Sequence, residues 1–167
     1  RPYMVVHVAT PETQGLRGTF TYGGEADAVV LTVTQLLLDG VAADQVKVVT
    51  PYDGQRVLIN RRLGRIARLS GVSAVSIDAV QGQEFDYVVI SLVRSNARRN
   101  PGFTRDPRRL NVAVTRARRG MVICCNVDNF AGKDAFDALF TQAATDGVLT
   151  DAPLGADGPC SSHRHIE

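Results

Sequence analysis

Lysine is nearly missing from this sequence: Lys47 and Lys133 are the only two among nineteen lysines and arginines. A surface built only for solubility would use both cations, whereas arginine is the side chain of choice for bidentate contacts to phosphate. Cysteine is scarce as well. Three residues, two of them adjacent at Cys124 and Cys125, make no disulfide framework. Neighbours on a strand point to opposite faces, so the expectation is a reduced, intracellular chain with one buried thiol. There is no apolar run long enough to span a membrane and no signal peptide. No G-x-x-x-x-G-K-[ST] loop occurs, and no D-E-x-x run that would hold magnesium. The chain by itself therefore lacks the phosphate cradle and metal ligand that nucleotide hydrolysis requires. It also begins at Arg1 without methionine, which fits a piece excised from something longer.

What is present is concentrated in one stretch, Ser76 to Asn126. Between Arg94 and Arg119 nine arginines face a single carboxylate, Asp106. Such a block repels itself unless it meets an anion, and phosphate is the natural candidate. From Asp128 to Glu167 the balance reverses, with seven carboxylates against Lys133 and Arg164, so the formal net charge of +2 conceals two opposed halves.

The apolar pattern predicts alternating strands and helices. Met4 to Val8 reads as a strand. Ala26, Val29, Val30, Val33, Leu36 and Leu37 recur at helical spacing ahead of Gly40, a C-terminal signal. Gln45 to Thr50 reads as a buried strand, followed by a helix from Pro51 to about Leu69 that buries Ile59, Leu63 and Ile66. Ala74 to Ile77 and Asp86 to Val93 are further strands, the second covered on both faces. Asp106-Pro107 opens a helix with Leu110, Val114 and Ala117 inward and Gly120 at its end. Met121 to Cys125 returns to strand, and a last helix from about Lys133 to Ala144 buries Phe136, Leu139 and Phe140. Residues 151–167 read as a disordered tail behind one domain over 1–150. The class is α/β with a mostly parallel central sheet. One joint is short for a parallel crossover, Ile77 to Asp86, and leaves the direction of the next strand open.

Ligands of open α/β sheets collect at the carboxyl ends of strands. Three polar stretches are expected there on one rim: Thr50 to Arg56, Asp78 to Glu84, and Arg94 to Asn96. Each has a bland alternative. T-P-Y is a strand-to-helix turn, Glu84 a solvated loop carboxylate, and Arg61, Arg65 and Arg68 the wet face of a helix. Continued helical spacing puts Arg116 in line with Arg109 but Arg118 in line with Asn111 and Thr115, so Arg116 and Arg118 cannot serve one phosphate from a regular helix.

V-S-I-D-A-V-Q-G-Q-E-F-D-Y-V-V-I-S-L-V-R-S-N resembles helicase motif V, and D-P-R-R-L-N-V-A-V-T-R-A-R-R-G resembles motif VI, of superfamily 1 helicases of the up-frameshift type. V-V-T-P-Y-D-G-Q-R and the helix at Glu25-Ala26 are similar to the same family's second RecA-like domain, so the likeness covers about Met4 to Val148. It implies a RecA-like three-layer fold and part of an ATP-dependent RNA or DNA helicase. ATP and Mg2+ would be held mainly by a first RecA-like domain that this chain does not contain. By the same likeness Glu84 contacts the nucleotide, Arg116 is the catalytic arginine finger, and the Gln81-Gly82 turn couples the nucleotide to a bound strand. Thr50, Pro51 and Tyr52 face single-stranded RNA or DNA, an expectation extended to Asp78, Arg94 and Asn111. No metal ligand is expected in this chain. Two departures stand out: Val80 replaces an aromatic, and a tyrosine-arginine pair that stacks the adenine has no match and is expected upstream of Arg1. Another class stays open, a non-catalytic nucleic-acid-binding module derived from a helicase.

Overall fold

Period-two alternation along the strands sorts the apolar residues into two cores. Val6, Val48, Val89 and Cys124 belong to one; Val5, Val49, Val88, Ile90, Ile123 and Cys125 belong to the other. The computed structural model describes residues 2–15, 18–132 and 134–152; the side chains of 103, 105, 107, 109, 110, 134 and 135 fall outside the description. The elements are β1 (Tyr3–His7), β2 (Thr13–Gln14), β3 (Phe20–Thr21), α1 (Gly23–Leu38), β4 (Val46–Thr50), α2 (Asp53–Leu63), β5 (Ala74–Ser76), β6 (Phe85–Ser91), α3 (Pro107–Val114), β7 (Ala117–Cys125), α4 (Val127–Phe130), α5 (Asp134–Thr145) and β8 (Leu149–Asp151). Six strands form one sheet in the order β5-β4-β6-β7-β1-β8, every pair parallel, and β2 and β3 make a separate antiparallel pair. Residues of α1 and α2 pack in the first core, and those of α3 and α5 in the second. The result is the RecA-like three-layer α/β domain expected from the sequence.

The short joint before β6 is a parallel crossover. The segment from Ile77 to Glu84 makes one 3-10 turn at Asp78–Val80, buries Ile77 and Val80 in the second core, and delivers β6 between β4 and β7. Helix α1 ends as its glycine predicts: Val41 N–H donates to Leu36 O and Gly40 N–H to Leu37 O, with Gly40 at φ 91°.

Other expectations need correction. Helix α2 stops at Leu63, and Ile66 is exposed while Leu69, in a 3-10 turn, is buried. Arg65 and Arg68 are therefore not part of a helical stripe. Helix α3 stops at Val114 rather than Gly120, because Ala117–Cys125 is drawn into the β6 ladder from Phe85 onward. Gly120 sits inside β7, where a Cβ would come within 3.0 Å of the Tyr87 ring, so its role is close approach in a strand. Ala113 is the fully buried residue of α3, Val114 is half-buried, Ala117 is buried from β7, and Leu110 lies outside the described side chains. Both Cys124 and Cys125 are buried, one in each core, because both faces of β7 are covered; burial raises both thiol pKa values. Strand β8 and the hydrogen bond from Ala152 N–H to His7 O carry the sheet past residue 150. The tail expectation over 153–167 and Lys133 lie outside the described residues. Among the described residues no helix is long and apolar enough to cross a membrane.

Candidate functional site

The singled-out residues occupy two ends of the sheet. In an all-parallel sheet, Thr50 closes β4 and Arg94 follows β6 at the carboxyl ends, whereas Glu84 directly precedes β6 and Arg116 directly precedes β7 at the amino ends. The stretch Asp78 to Glu84 starts at one rim and finishes at the other, so the expectation of a single rim does not hold.

At the amino rim, two segments thirty residues apart meet. Phe85 N–H donates to Arg116 O at 2.9 Å. The Arg116 guanidinium donates from Nε to Val112 O (2.9 Å), from Nη1 to Gln83 O (3.3 Å) and from Nη2 to Thr115 Oγ1 (3.1 Å). Thr115 Oγ1 itself donates to Asn111 O at 2.6 Å, which places Arg116 at the end of α3. Gly82, at φ 78°, makes the turn that directs the chain toward Glu84, a conformation that favours glycine. Gln81, Gly82 and Glu84 are exposed. The ladder passes from Phe85↔Ala117 to Tyr87↔Gly120, so Asp86 alone stands opposite Arg118 and Arg119, a β-bulge. Both guanidiniums thereby approach Asp86, Arg118 Nε at 3.8 Å from Oδ1 and Arg119 Nε at 3.7 Å from Oδ2, and Arg118 Nε lies 3.9 Å from Glu84 Oε2. The helical-spacing objection to Arg116 and Arg118 acting together lapses, because neither is in the helix.

The carboxyl rim is drier than expected. Thr50 is fully buried and its Oγ1 has no hydrogen-bond partner among the described residues; Tyr52 is buried and Pro51 half-buried. Arg94 pairs bidentately with Glu12, Nε to Oε2 at 3.0 Å and Nη2 to Oε1 at 3.1 Å, with side-chain exposures of 8% and 10%. Its guanidinium also lies 4.1 Å from the centroid of the Phe20 ring and donates to the Tyr52 hydroxyl at 3.4 Å. Arg94 thus ties the segment before β2 to the T-P-Y turn, and in this arrangement it does not present its guanidinium outward. Asp78 and Asn111 are exposed, Asp78 opening the crossover and Asn111 within α3.

A buried polar chain behind this rim was missed in the sequence. Gln55 accepts from Tyr22 N–H (2.7 Å) and donates to Tyr22 O and Ser91 Oγ (both 3.1 Å); Ser91 Oγ donates to Glu25 Oε1. Glu25 Oε1 also accepts from Val93 N–H at 2.8 Å. Val93 is a buried β-branched residue at φ 75°, bridged by the hydrogen bond from Arg94 N–H to Leu92 O, a γ-turn of the strained hand. Burial pushes the Glu25 carboxyl up to about 8, against the lowering effect of its hydrogen bonds. A signal for this was present: Glu25 lies four and eight residues before Val29 and Val33, and Gln55 four and eight before Ile59 and Leu63. Both polar side chains fall on the buried stripe of their helices.

Among the described residues no group of three or more His, Cys, Asp or Glu is arranged to hold a metal ion. The amino rim offers exposed Glu84, Arg118 and the Gly82 turn, an arrangement that can contact a nucleotide from one side but does not enclose it.

Comparison with known proteins bears on the family and the fold. A family model described as an AAA domain matches residues 1–128. The chain is 40% identical over 135 residues to "Regulator of nonsense transcripts 1 homolog" of Arabidopsis thaliana, covering 78% of this chain and 11% of that protein. It is 39% identical over 127 residues to "ATP-dependent helicase NAM7" of Saccharomyces cerevisiae (73% and 13%). It is 35% identical over 165 residues to "Regulator of nonsense transcripts 1" of Caenorhabditis elegans (95% and 15%). The chain thus spans less than a sixth of the length of these relatives. The solved C-terminal domain of a possible DNA helicase from Lactobacillus plantarum shares the fold at a TM-score of 0.56 and 15% identity, covering 91% of this chain and 85% of that one.

Proposed function

The chain belongs to the AAA-domain family, among the superfamily 1 helicases of the up-frameshift type, and from this premise we propose that it is the second RecA-like motor domain of an ATP-dependent RNA or DNA helicase. The observation that carries this reading is the meeting of the Gln81–Glu84 turn with Arg116, where Arg116 Nη1 lies 3.3 Å from Gln83 O. A first RecA-like domain of the same protein holds ATP and Mg2+, and this amino rim closes on the nucleotide from the other side. Glu84 contacts the nucleotide. Arg116 exchanges acceptors of its guanidinium, such as Gln83 O, for the terminal phosphate and neutralises charge that develops there during transfer. Gln81 and Gly82 connect that event to the crossover that begins at Asp78.

The single strand of RNA or DNA lies across both domains. On this side it passes over the T-P-Y turn, where half-buried Pro51 faces it together with the exposed Asp78 and Asn111, and buried Thr50 and Tyr52 hold the turn's shape from within. Arg94, buried against Glu12, supports the turn from behind. An intracellular setting goes with this reading.

In the complete protein, Arg116→Ala is expected to lower strand-stimulated ATP hydrolysis by about a thousandfold or more while strand affinity stays near wild type. Steady-state turnover and fluorescence anisotropy measure the two. Wild-type turnover would remove Arg116 from the mechanism. Strand binding by the complete protein that depends on salt but not on ATP would point instead to a non-catalytic binding module.

A further inference from the structure

Arg116 and Arg118 address the two consecutive carbonyls that lead into β6: Arg116 Nη1 lies 3.3 Å from Gln83 O and Arg118 Nη2 lies 3.5 Å from Glu84 O. The two guanidiniums are thus brought to one peptide step of the same rim, and they differ in what is left free. Arg116 is half-buried and has an acceptor for Nε and for each Nη. Arg118 is 60% exposed, and the carboxylates around it, Glu84 Oε2 at 3.9 Å and Asp86 Oδ1 at 3.8 Å, stand beyond hydrogen-bond distance. Its aim is nevertheless fixed from below. The bulge sets Arg118 and Arg119 against the two oxygens of Asp86, and Asp86 Oδ2 accepts from Gln45 Nε2 at 2.9 Å.

Resting on the reading of this rim as the nucleotide face, we propose that Arg118 is a second phosphate-contacting residue, swung from Glu84 and Asp86 onto the terminal phosphates of ATP. Exposed ion pairs at such separations are weak, whereas a phosphate oxygen offers an arginine short, charge-assisted hydrogen bonds. The exchange also frees Glu84, so one event supplies the phosphates with a cation and the rest of the nucleotide with its carboxylate. Arg119 is as exposed and its 3.7 Å approach to Asp86 as loose, but among the described ion pairs and hydrogen bonds it does not touch Glu84 or the turn's carbonyls, so its release would free no group of the nucleotide face.

The test uses the complete protein with a homopolymeric single strand as activator. Arg118→Ala is expected to raise KM for ATP about tenfold, the scale of one charge-assisted contact, with kcat within about a factor of two. Arg118→Lys, which keeps the cation, recovers part of the loss, and Arg119→Ala leaves KM unchanged. Inhibition by adenosine, which has no phosphate, stays the same in all three. An unchanged KM in Arg118→Ala overturns the proposal, as does an equal rise in Arg119→Ala or a parallel weakening of adenosine inhibition. Failure of the underlying reading looks different: it appears as wild-type turnover in Arg116→Ala.

Discussion

Glu25 has the environment that most affects how the domain responds to its surroundings. It is fully buried, and its Oε2 has no hydrogen-bond partner among the described residues, so the neutral form is favoured with its proton on that oxygen. Folded, the carboxyl titrates at about 8, against an ordinary value of 4.5. Between those two values the folded state binds the proton and the unfolded state has released it. Stability therefore falls as pH rises from about 4.5 to about 8; outside that window this group adds no further pH dependence, and the loss persists above it. The slope for one proton is at most about 1.4 kcal/mol per pH unit. Glu25→Gln, close in shape and without the titration, should flatten the profile and exceed wild type at about pH 8. Urea denaturation at several pH values measures it, and a slope unchanged in the variant would place the titration elsewhere.

At the level of elements, the outward backbone groups of Ala74, at the margin of the sheet in β5, are paired by one side chain. Asn60 of α2 donates from Nδ2 to Ala74 O at 2.9 Å and accepts from Ala74 N–H at 2.8 Å, imitating the strand that is not there. Open edges invite pairing with other chains. Asn60→Ala should cost about 1–3 kcal/mol for the two groups left unpaired and raise light scattering on warming; equal scattering from both proteins would show that the edge is protected some other way.

Elements also mark where sequence patterns stop being informative. Strand β6, helix α5 and the Asp106-Pro107 start of α3 were legible, because each rests on local chemistry: a continuous apolar run, a 3.6 period, and a cap whose Asp106 side chain accepts from Arg108 N–H. The end of α3 was not. Residues 115–120 carry no breaker except Gly120, and what ends the helix is pairing with Phe85, some thirty residues earlier in the chain. A long-range ladder overrode a plausible local continuation.

For the whole molecule, the consequence is that the candidate residues lie at two ends of the sheet instead of one. The family was legible, because motifs V and VI are long and ordered. Their placement was not, since a crossover from Asp78 to Glu84 looks like one loop in sequence yet runs from the carboxyl rim to the amino rim. The burial of Thr50, Tyr52 and Arg94 was equally hidden, for it depends on Glu12 and Phe20 in a segment that reads only as polar connection.

Both ends meet in β6, with Glu84 just before it and Arg94 shortly after. This strand has β4 on one side, β7 on the other and a core on each face, so Val88, Val89 and Ile90 are wholly buried. Their amides have no route to solvent short of unfolding the domain, and they should be the last to exchange with deuterium, at a rate that reports the global stability. Amides of β5 and β8, at the two margins of the sheet, should exchange earlier. Early exchange in β6 would mean that the connection between the two rims is soft. Protection throughout would mean that β6 keeps a fixed length, so that what happens at one rim is felt at the other as displacement of a rigid bar.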